Sequence, residues 1–109
     1  MTDLEIITSK LKEFRDARDW EQFHNPKDLA LALSVEAGEL LELFLWKEAK
    51  DANPEKVKEE LADILSFALL LADKYGLDIK QIILDKIASN ALKYPVEKSK
   101  GNAKKYNEL

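Results

Sequence analysis

Two pairs of acidic residues share the same spacing in this chain, Glu36 with Glu39 and Glu60 with Asp63. A step of three residues keeps both side chains of a pair on one face of a helix. Glu36 and Glu60 also fall on helical lines that are otherwise apolar, where an uncompensated carboxylate is costly. The simplest compensation is a hard divalent cation that prefers oxygen ligands. The spacing therefore predicts an Mg²⁺ site and metal-dependent phosphate chemistry.

Other metals fit this pattern less well. The chain has no cysteine, and its one histidine, His24, lies in a predicted loop, which disfavours zinc. A ferritin-like di-iron site requires Glu-x-x-His twice, and neither acid pair contains a histidine.

Two further groups of residues have both a functional and a structural interpretation. Trp20, His24 and Trp46 flank the ends of the second predicted helix, either as core anchors or as an aromatic slot that stacks a nucleobase. Lys86, Asn90 and Lys93 share a face of the last predicted helix at positions i, i+4 and i+7. That face is either a solvated lysine stripe or a row of donors for phosphate oxygens.

Hydrophobic periodicity and capping residues predict an all-α fold. The predicted helices span about 3–18, 26–46, 54–75 and 78–93, and residues 95–109 read as an extended arm. Thr2, Asn25, Asn53 and Asp78 are the expected N-caps, and Gly76 is the expected stop of the third helix. A length of 109 residues suits one domain with one core.

The second and third helices are apolar around much of their circumference. One small core cannot take up all the apolar side chains of the second helix, which include Leu40, Leu41, Leu43, Phe44 and Leu45. The same holds in the third helix for Leu69, Leu70 and Leu71. A lone four-helix chain would leave this surface exposed, so we expect a homo-oligomer.

Composition narrows the partners. The net charge is −4, with nine acids against four lysines in residues 36–63 and seven lysines against three acids in residues 80–109. An acidic middle can hold cations and a basic end can hold phosphates. The chain lacks the overall basic excess that is typical of nucleic-acid-binding proteins, so no nucleic-acid partner is expected. No apolar run is long enough to span a membrane and no signal peptide opens the chain, so a cytoplasmic location is expected.

Several motifs together resemble a known family. The acid signature Glu36-x-x-Glu39 followed by Glu60-x-x-Asp63 is similar to that of the all-α nucleoside triphosphate pyrophosphohydrolases, the MazG-like superfamily. The segments at 14–24, 44–46, 93–95 and 101–109 look like its dCTP pyrophosphatase branch. The resemblance covers nearly the whole chain.

The resemblance implies a four-helix fold assembled as a dimer or a dimer of dimers, which hydrolyses a (deoxy)nucleoside triphosphate to the monophosphate and pyrophosphate. It implies that Glu36, Glu39, Glu60 and Asp63 bind Mg²⁺, for which Mn²⁺ could substitute. The chemistry of hydrolysis also needs a base that takes a proton from the attacking water, and Glu39 and Glu36 are the two candidates for that role in place of full metal ligation. The resemblance also implies base contacts from Trp20, His24 and Trp46, and phosphate contacts from Lys86, Asn90, Lys93, Lys105 and Tyr106.

Two alternatives stay open at this point. One is a related all-α enzyme that cleaves dUTP or phosphoribosyl-ATP, against which the tryptophan-rich segment argues. The other is a non-catalytic helical oligomerisation or regulatory module, in which the acids would simply be solvated.

Overall fold

The computed structural model describes all 109 residues, and its regular structure is entirely helical. The helices are α1 (Asp3–Ala17), α2 (Pro26–Glu42), α3 (Pro54–Lys74), α4 (Ile79–Lys93) and the short α5 (Val96–Ser99). Three 3₁₀ turns lie at Glu21–Phe23, Ala49–Asp51 and Tyr106–Glu108. The predicted all-α class is therefore confirmed, with five helices in place of four.

The predicted N-caps form as expected. The backbone N–H of Asp28 donates to Asn25 Oδ1 at 2.9 Å, and that of Gln81 donates to Asp78 Oδ1 at 3.0 Å. Thr2 and Asn53 accept equivalent bonds at the starts of α1 and α3. Each bond satisfies a donor that the first turn of a helix leaves without a partner, so these short polar residues fix where the helices begin.

Gly76 ends α3 as predicted. Its φ of +63° is the left-handed conformation that glycine adopts without a steric penalty. The N–H of Leu77 donates to the carbonyl of Ala72 at 2.9 Å and that of Gly76 to Asp73 at 3.0 Å, the pattern of a Schellman cap.

Two boundary predictions are wrong. The second helix ends at Glu42 and not near Trp46, because residues 43–45 bond to carbonyls three residues back and Trp46 turns to φ +62°. The segment 95–109 is not extended throughout, because α5 and the turn Tyr106–Glu108 lie within it. Local i→i+3 and i→i+4 bonding forms these turns without a long apolar repeat, which is why periodicity did not reveal them.

The chain divides into two compact units, Met1–Leu77 and Asp78–Leu109. In the first, α2 and α1 both pack against α3. Its core is small. Leu29 is the one fully buried large side chain, and the other buried apolar residues are Leu70, Ala52 and Ala72. The second unit contains α4, α5 and the last 3₁₀ turn. Assignment of all 109 residues to a single domain stays a prediction. None of the helices combines the length and the apolar character that crossing a bilayer requires.

Candidate metal and nucleotide site

Three of the four predicted acids meet where α2 packs on α3. Glu36 comes from α2, and Glu60 and Asp63 lie one turn apart on α3. One carboxylate oxygen from each residue lies within 4.8 Å of the oxygens offered by the other two. Glu36 and Glu60 are partly buried, and Asp63 is exposed at the edge of the cluster. The packing of α2 on α3 thus brings Glu36 to two acids that lie 24 and 27 residues further along the chain.

Two oxygens of this cluster lack any hydrogen-bond partner. Glu36 Oε2 and Glu60 Oε2 are both shielded from solvent, and neither accepts a bond from a protein donor. Shielded carboxylate oxygens without a donor or a positive charge are destabilising. No lysine or arginine forms an ion pair with either residue. A hard divalent cation would supply the missing charge, so the donor set fits such an ion.

The crowding of carboxylates changes the acidity of Glu36. Its contacts with the carboxyl of Glu60 first, and with that of Glu39 second, raise the pKa of Glu36 to about 7, and burial adds to the shift. Two adjacent carboxylates favour a shared proton, because one proton removes their repulsion. A cation and a proton therefore compete for this position.

Glu39 stands apart from the other three acids. Its side chain is exposed, and it does not belong to the trio whose oxygens converge within 4.8 Å. It nevertheless lies close enough to Glu36 to raise the pKa of that residue. Glu39 is thus at the rim of the cluster, on the side open to water.

Trp20 lies in an exposed aromatic group next to the end of α1. Its ring meets Phe14 edge-on with centroids 5.8 Å apart, and the guanidinium of Arg18 lies 3.6 Å above the Phe14 ring and 5.9 Å from the Trp20 ring. Trp20 and Phe14 both keep about half of their surface accessible. Trp20 is therefore braced by its neighbours and is not a core anchor.

His24 packs against the acid-bearing helix. Its ring meets Phe67 edge-on at 6.4 Å, and Phe67 lies one turn beyond Asp63 on α3. Burial, and then the positive charges of Arg15 and Lys74, lower the pKa of His24, so the ring is neutral at pH 7. Its Nδ1 is shielded and has no hydrogen-bond partner.

Trp46 is the most exposed large hydrophobic residue of the chain. Its side chain is 100% accessible and its φ is +62°. A bulky residue in this conformation is uncommon and is strained unless the surroundings compensate. No aromatic pair within the chain involves Trp46, so its core-anchor interpretation does not hold for the isolated subunit.

The predicted phosphate contacts all belong to the second compact unit. Lys86 and Asn90 line an open groove along α4 together with Ile82, Ile83 and Ile87. The ammonium of Lys93 lies 5.2 Å from the centroid of the Tyr106 ring, and Tyr106 meets Tyr94 edge-on at 6.3 Å. Lys105, at the N-cap of the last 3₁₀ turn, is exposed. The packed group in this unit therefore consists of Lys93, Tyr94 and Tyr106.

Arg15 is a buried charged residue that the sequence analysis did not single out. It is only 4% exposed, and its Nε donates to Asp16 Oδ1 at 2.8 Å. The side-chain hydrogen bond with Asp16 contributes most to raising the pKa of Arg15 and to lowering that of Asp16. The available signal was its position one turn after Leu11, on the apolar line of α1.

The raised pKa of Glu36 predicts a pH dependence of the metal-free protein. The folded state keeps a proton on Glu36 up to about pH 7, whereas the unfolded chain releases it near the ordinary value of 4.5. The folded state binds more protons between these values, so the free energy of unfolding falls as the pH rises from about 4.5 to about 7. Urea denaturation in the presence of a chelator measures this slope.

Glu36→Gln is the matched control for that measurement. The amide cannot titrate, so its slope over the same interval should be shallower than that of the unsubstituted chain. Identical slopes would mean that Glu36 titrates normally in the folded protein.

The chain is similar to known proteins over most of its length. A family model described as MazG-like matches residues 31–109. The chain is 43% identical to dCTP pyrophosphatase 1 of Bos taurus, over 97% of this chain and 68% of that protein. It is 39% identical to dCTP pyrophosphatase 1 of Homo sapiens, over 97% of this chain and 67% of that protein.

A solved structure is similar as well. The crystal structure of a pyrophosphatase from Archaeoglobus fulgidus matches with a TM-score of 0.81 and 35% sequence identity, over 87% of this chain and 94% of that chain. The family model covers more than half of the chain and includes all four predicted acids. The resemblance seen in the sequence is confirmed, and the chain belongs to the MazG-like family.

Proposed function

We propose that this protein hydrolyses nucleoside triphosphates, with dCTP or a related deoxynucleotide as the preferred substrate, to the monophosphate and pyrophosphate. The observation that carries the proposal is the convergence of Glu36, Glu60 and Asp63 with two shielded, unpartnered oxygens. The mammalian relatives, which are named dCTP pyrophosphatase 1, support the choice of base. Such an activity would serve control of the nucleotide pool.

Glu36, Glu60 and Asp63 would hold the metal, with Glu39 beside them. We propose Mg²⁺, with Mn²⁺ as a substitute, because all the available donors are carboxylate oxygens. When bound, the ion would neutralise triphosphate charge and make a water molecule more acidic. Without it, four acids would repel a substrate that is itself strongly negative.

The reaction needs an acceptor for one proton. A water oxygen forms a bond to the α-phosphorus, the bond from that phosphorus to the α–β bridging oxygen breaks, and pyrophosphate leaves. The proton of the water passes to a carboxylate. Glu39 is exposed at the rim of the cluster, whereas Glu36 is partly buried among the carboxylates proposed to hold the metal. Both remain candidates for this role.

The basic groups of the second unit are proposed to bind the phosphates. Lys86, Asn90 and Lys93 share one face of α4, and Lys105 and Tyr106 follow in the arm. The packing of Lys93 against Tyr106 restricts the lysine side chain, which reduces the entropy lost when it binds an anion. These residues would stabilise the negative charge of the leaving pyrophosphate.

Trp20, His24 and Trp46 are proposed to contact the base. Trp20 and Trp46 both offer accessible ring surface for stacking, and a neutral His24 can accept or donate one hydrogen bond. A related all-α enzyme acting on dUTP or phosphoribosyl-ATP remains the alternative. A non-catalytic module would leave the shielded oxygens of Glu36 and Glu60 unexplained. The cytoplasmic location stays a prediction.

Pyrophosphate release from the eight common NTPs and dNTPs, with and without Mg²⁺, tests the activity. We expect Mg²⁺-dependent release that is strongest with dCTP. Asp63→Asn should lower kcat on the order of 100-fold or more, because it removes one charge from the cation site. Glu59→Gln is the control, since Glu59 is an exposed neighbour outside the trio. Full turnover by Asp63→Asn, or no release from any substrate, would contradict the proposal.

Trp46→Ala tests the base contact. Stacking on an aromatic ring contributes about 1–3 kcal/mol per base, so KM for dCTP should rise by about 5- to 150-fold. Thermal stability should change little, because the ring has no packing partner within the subunit. Trp46→Phe keeps an aromatic face and should retain most of the affinity. An unchanged KM in Trp46→Ala would remove this residue from the site.

We also propose a homo-oligomer, a dimer or a dimer of dimers. An apolar stripe runs along α2 on the side of the helix away from the buried Leu29, and it consists of Leu31, Val35 and Gly38. Within the single chain, 58% of the surface of Val35 is accessible to solvent. A stripe of this size on a small protein favours association, since it has no partner within the chain.

Val35→Glu tests the oligomer. A charge in the stripe should shift the mass measured by light scattering after gel filtration toward that of one chain. Ala30→Glu is the control, because Ala30 is exposed on the same helix about 100° away from Leu31. A monomeric unsubstituted protein would exclude the proposed assembly.

A further inference from the structure

Arg15 is a charged residue for which the proposed reaction has no use. It is 4% exposed, and its guanidinium contacts two carboxylates that come from different parts of the chain. Asp16 is its neighbour in α1, and Glu21 belongs to the turn that follows this helix. Taking an arginine out of water is costly, so a buried guanidinium requires such partners.

Glu21 connects three elements of the first unit. Its Oε2 lies 3.8 Å from Nη2 of Arg15, and its Oε1 accepts a hydrogen bond from Nζ of Lys74 at 3.2 Å. Arg15 is in α1, Lys74 is the last residue of α3, and Glu21 opens the 3₁₀ turn Glu21–Phe23. One carboxylate therefore ties the turn to both helices.

The backbone around Arg15 reinforces this connection. The N–H of Trp20 donates to the carbonyl of Arg15 at 3.1 Å, and Asp19 between them takes a φ of +55°. This is a Schellman-type end to α1, with an aspartate in the position that glycine usually takes. Arg15 therefore contacts two successive residues, because its carbonyl accepts a hydrogen bond from Trp20 and its guanidinium pairs with Glu21.

The turn Glu21–Phe23 is flanked by two residues of the proposed base site. Trp20 directly precedes it and His24 directly follows it. His24 contacts Phe67, one turn beyond Asp63 on the same helix. The positive charges of Arg15 and Lys74 also contribute to lowering the pKa of His24, after burial. A movement of the turn would therefore move Trp20 and His24 relative to the acids of α3.

We propose that Arg15 is a positioning residue that, through Glu21, holds the turn Glu21–Phe23 so that Trp20 and His24 are set for the nucleotide base. The inference rests on the proposed function. It assigns to Arg15 no contact with substrate or metal. Its effect is on binding of the base, because the cation cluster lies on α2 and α3 and does not include the turn.

Steady-state kinetics of pyrophosphate release from dCTP test this role. Glu21→Gln keeps the size of the side chain and removes its charge. We expect its KM to rise about tenfold while kcat stays within about threefold, the pattern of lost substrate binding. Glu21 is exposed, so this variant should fold. Arg15→Lys should give a smaller rise, because an ammonium retains the charge but not the fork that reaches both Asp16 and Glu21.

Lys12→Met separates positioning from general stabilisation. Lys12 pairs with Asp73 at 3.4 Å and so joins the same two helices, α1 and α3, without touching the turn. Its KM should equal that of the unsubstituted protein, whatever its melting temperature. The double variant Arg15→Lys with Glu21→Gln should be no worse than Glu21→Gln alone, because the two residues act through one interaction.

The outcomes separate this inference from the activity on which it rests. Raised KM in Glu21→Gln and Arg15→Lys, with Lys12→Met unchanged, supports the positioning role. Turnover by the unsubstituted protein together with an unchanged KM in Glu21→Gln overturns the positioning role alone. Equal increases in all three variants also overturn it, since they would reflect helix packing in general. No turnover by the unsubstituted protein overturns the proposed function and this inference together.

Discussion

Repulsion among carboxylates at the contact between α2 and α3 is the constraint on which the site depends. Glu36 and Glu60 meet at the packed surface of these helices and leave two shielded oxygens without donors. The same helices also supply the apolar contacts of the first unit. The fold therefore brings negative charges together, and the apolar packing nearby must outweigh their repulsion in the metal-free state. A cation or a proton bound between these carboxylates would relieve the repulsion.

The region beside the acids is held by polar contacts and by backbone conformation. Arg15, Glu21 and Lys74 connect α1, the following turn and the end of α3. Asp19 and Gly76, at the ends of α1 and α3, both have positive φ values. These chain reversals are set by local hydrogen bonds to the last helical carbonyls. Small deviations in such loops matter, because binding of a base depends on the placement of a few side chains.

The small core explains why the subunit exposes so much apolar surface. Leu29 is the one large side chain with essentially no accessible surface, whereas α1, α2, α3 and α4 each carry accessible leucines, isoleucines or valines. Helices that face a core on one side and a second apolar surface on another are typical of subunits that assemble. Trp46 is wholly exposed and has a positive φ, so its ring, like these apolar faces, has no packing partner within the chain.

The sequence by itself determined the helical class, the starts of the helices and the identity of the acids. Short polar caps such as Asn25 and Asp78 act within four residues, and the acid spacing follows from the helical repeat, so both can be read locally. The end of α2 at Glu42 escaped prediction because i→i+3 bonding there competes with an apolar pattern that would continue the helix. The turns within 95–109 escaped prediction because they form by local bonding without an apolar repeat. Only the tertiary structure decided that Glu36, Glu60 and Asp63 form the close trio while Glu39 lies at its rim. Only it showed that Arg15 is buried against Glu21, because burial and long-range pairing depend on which helix faces pack together.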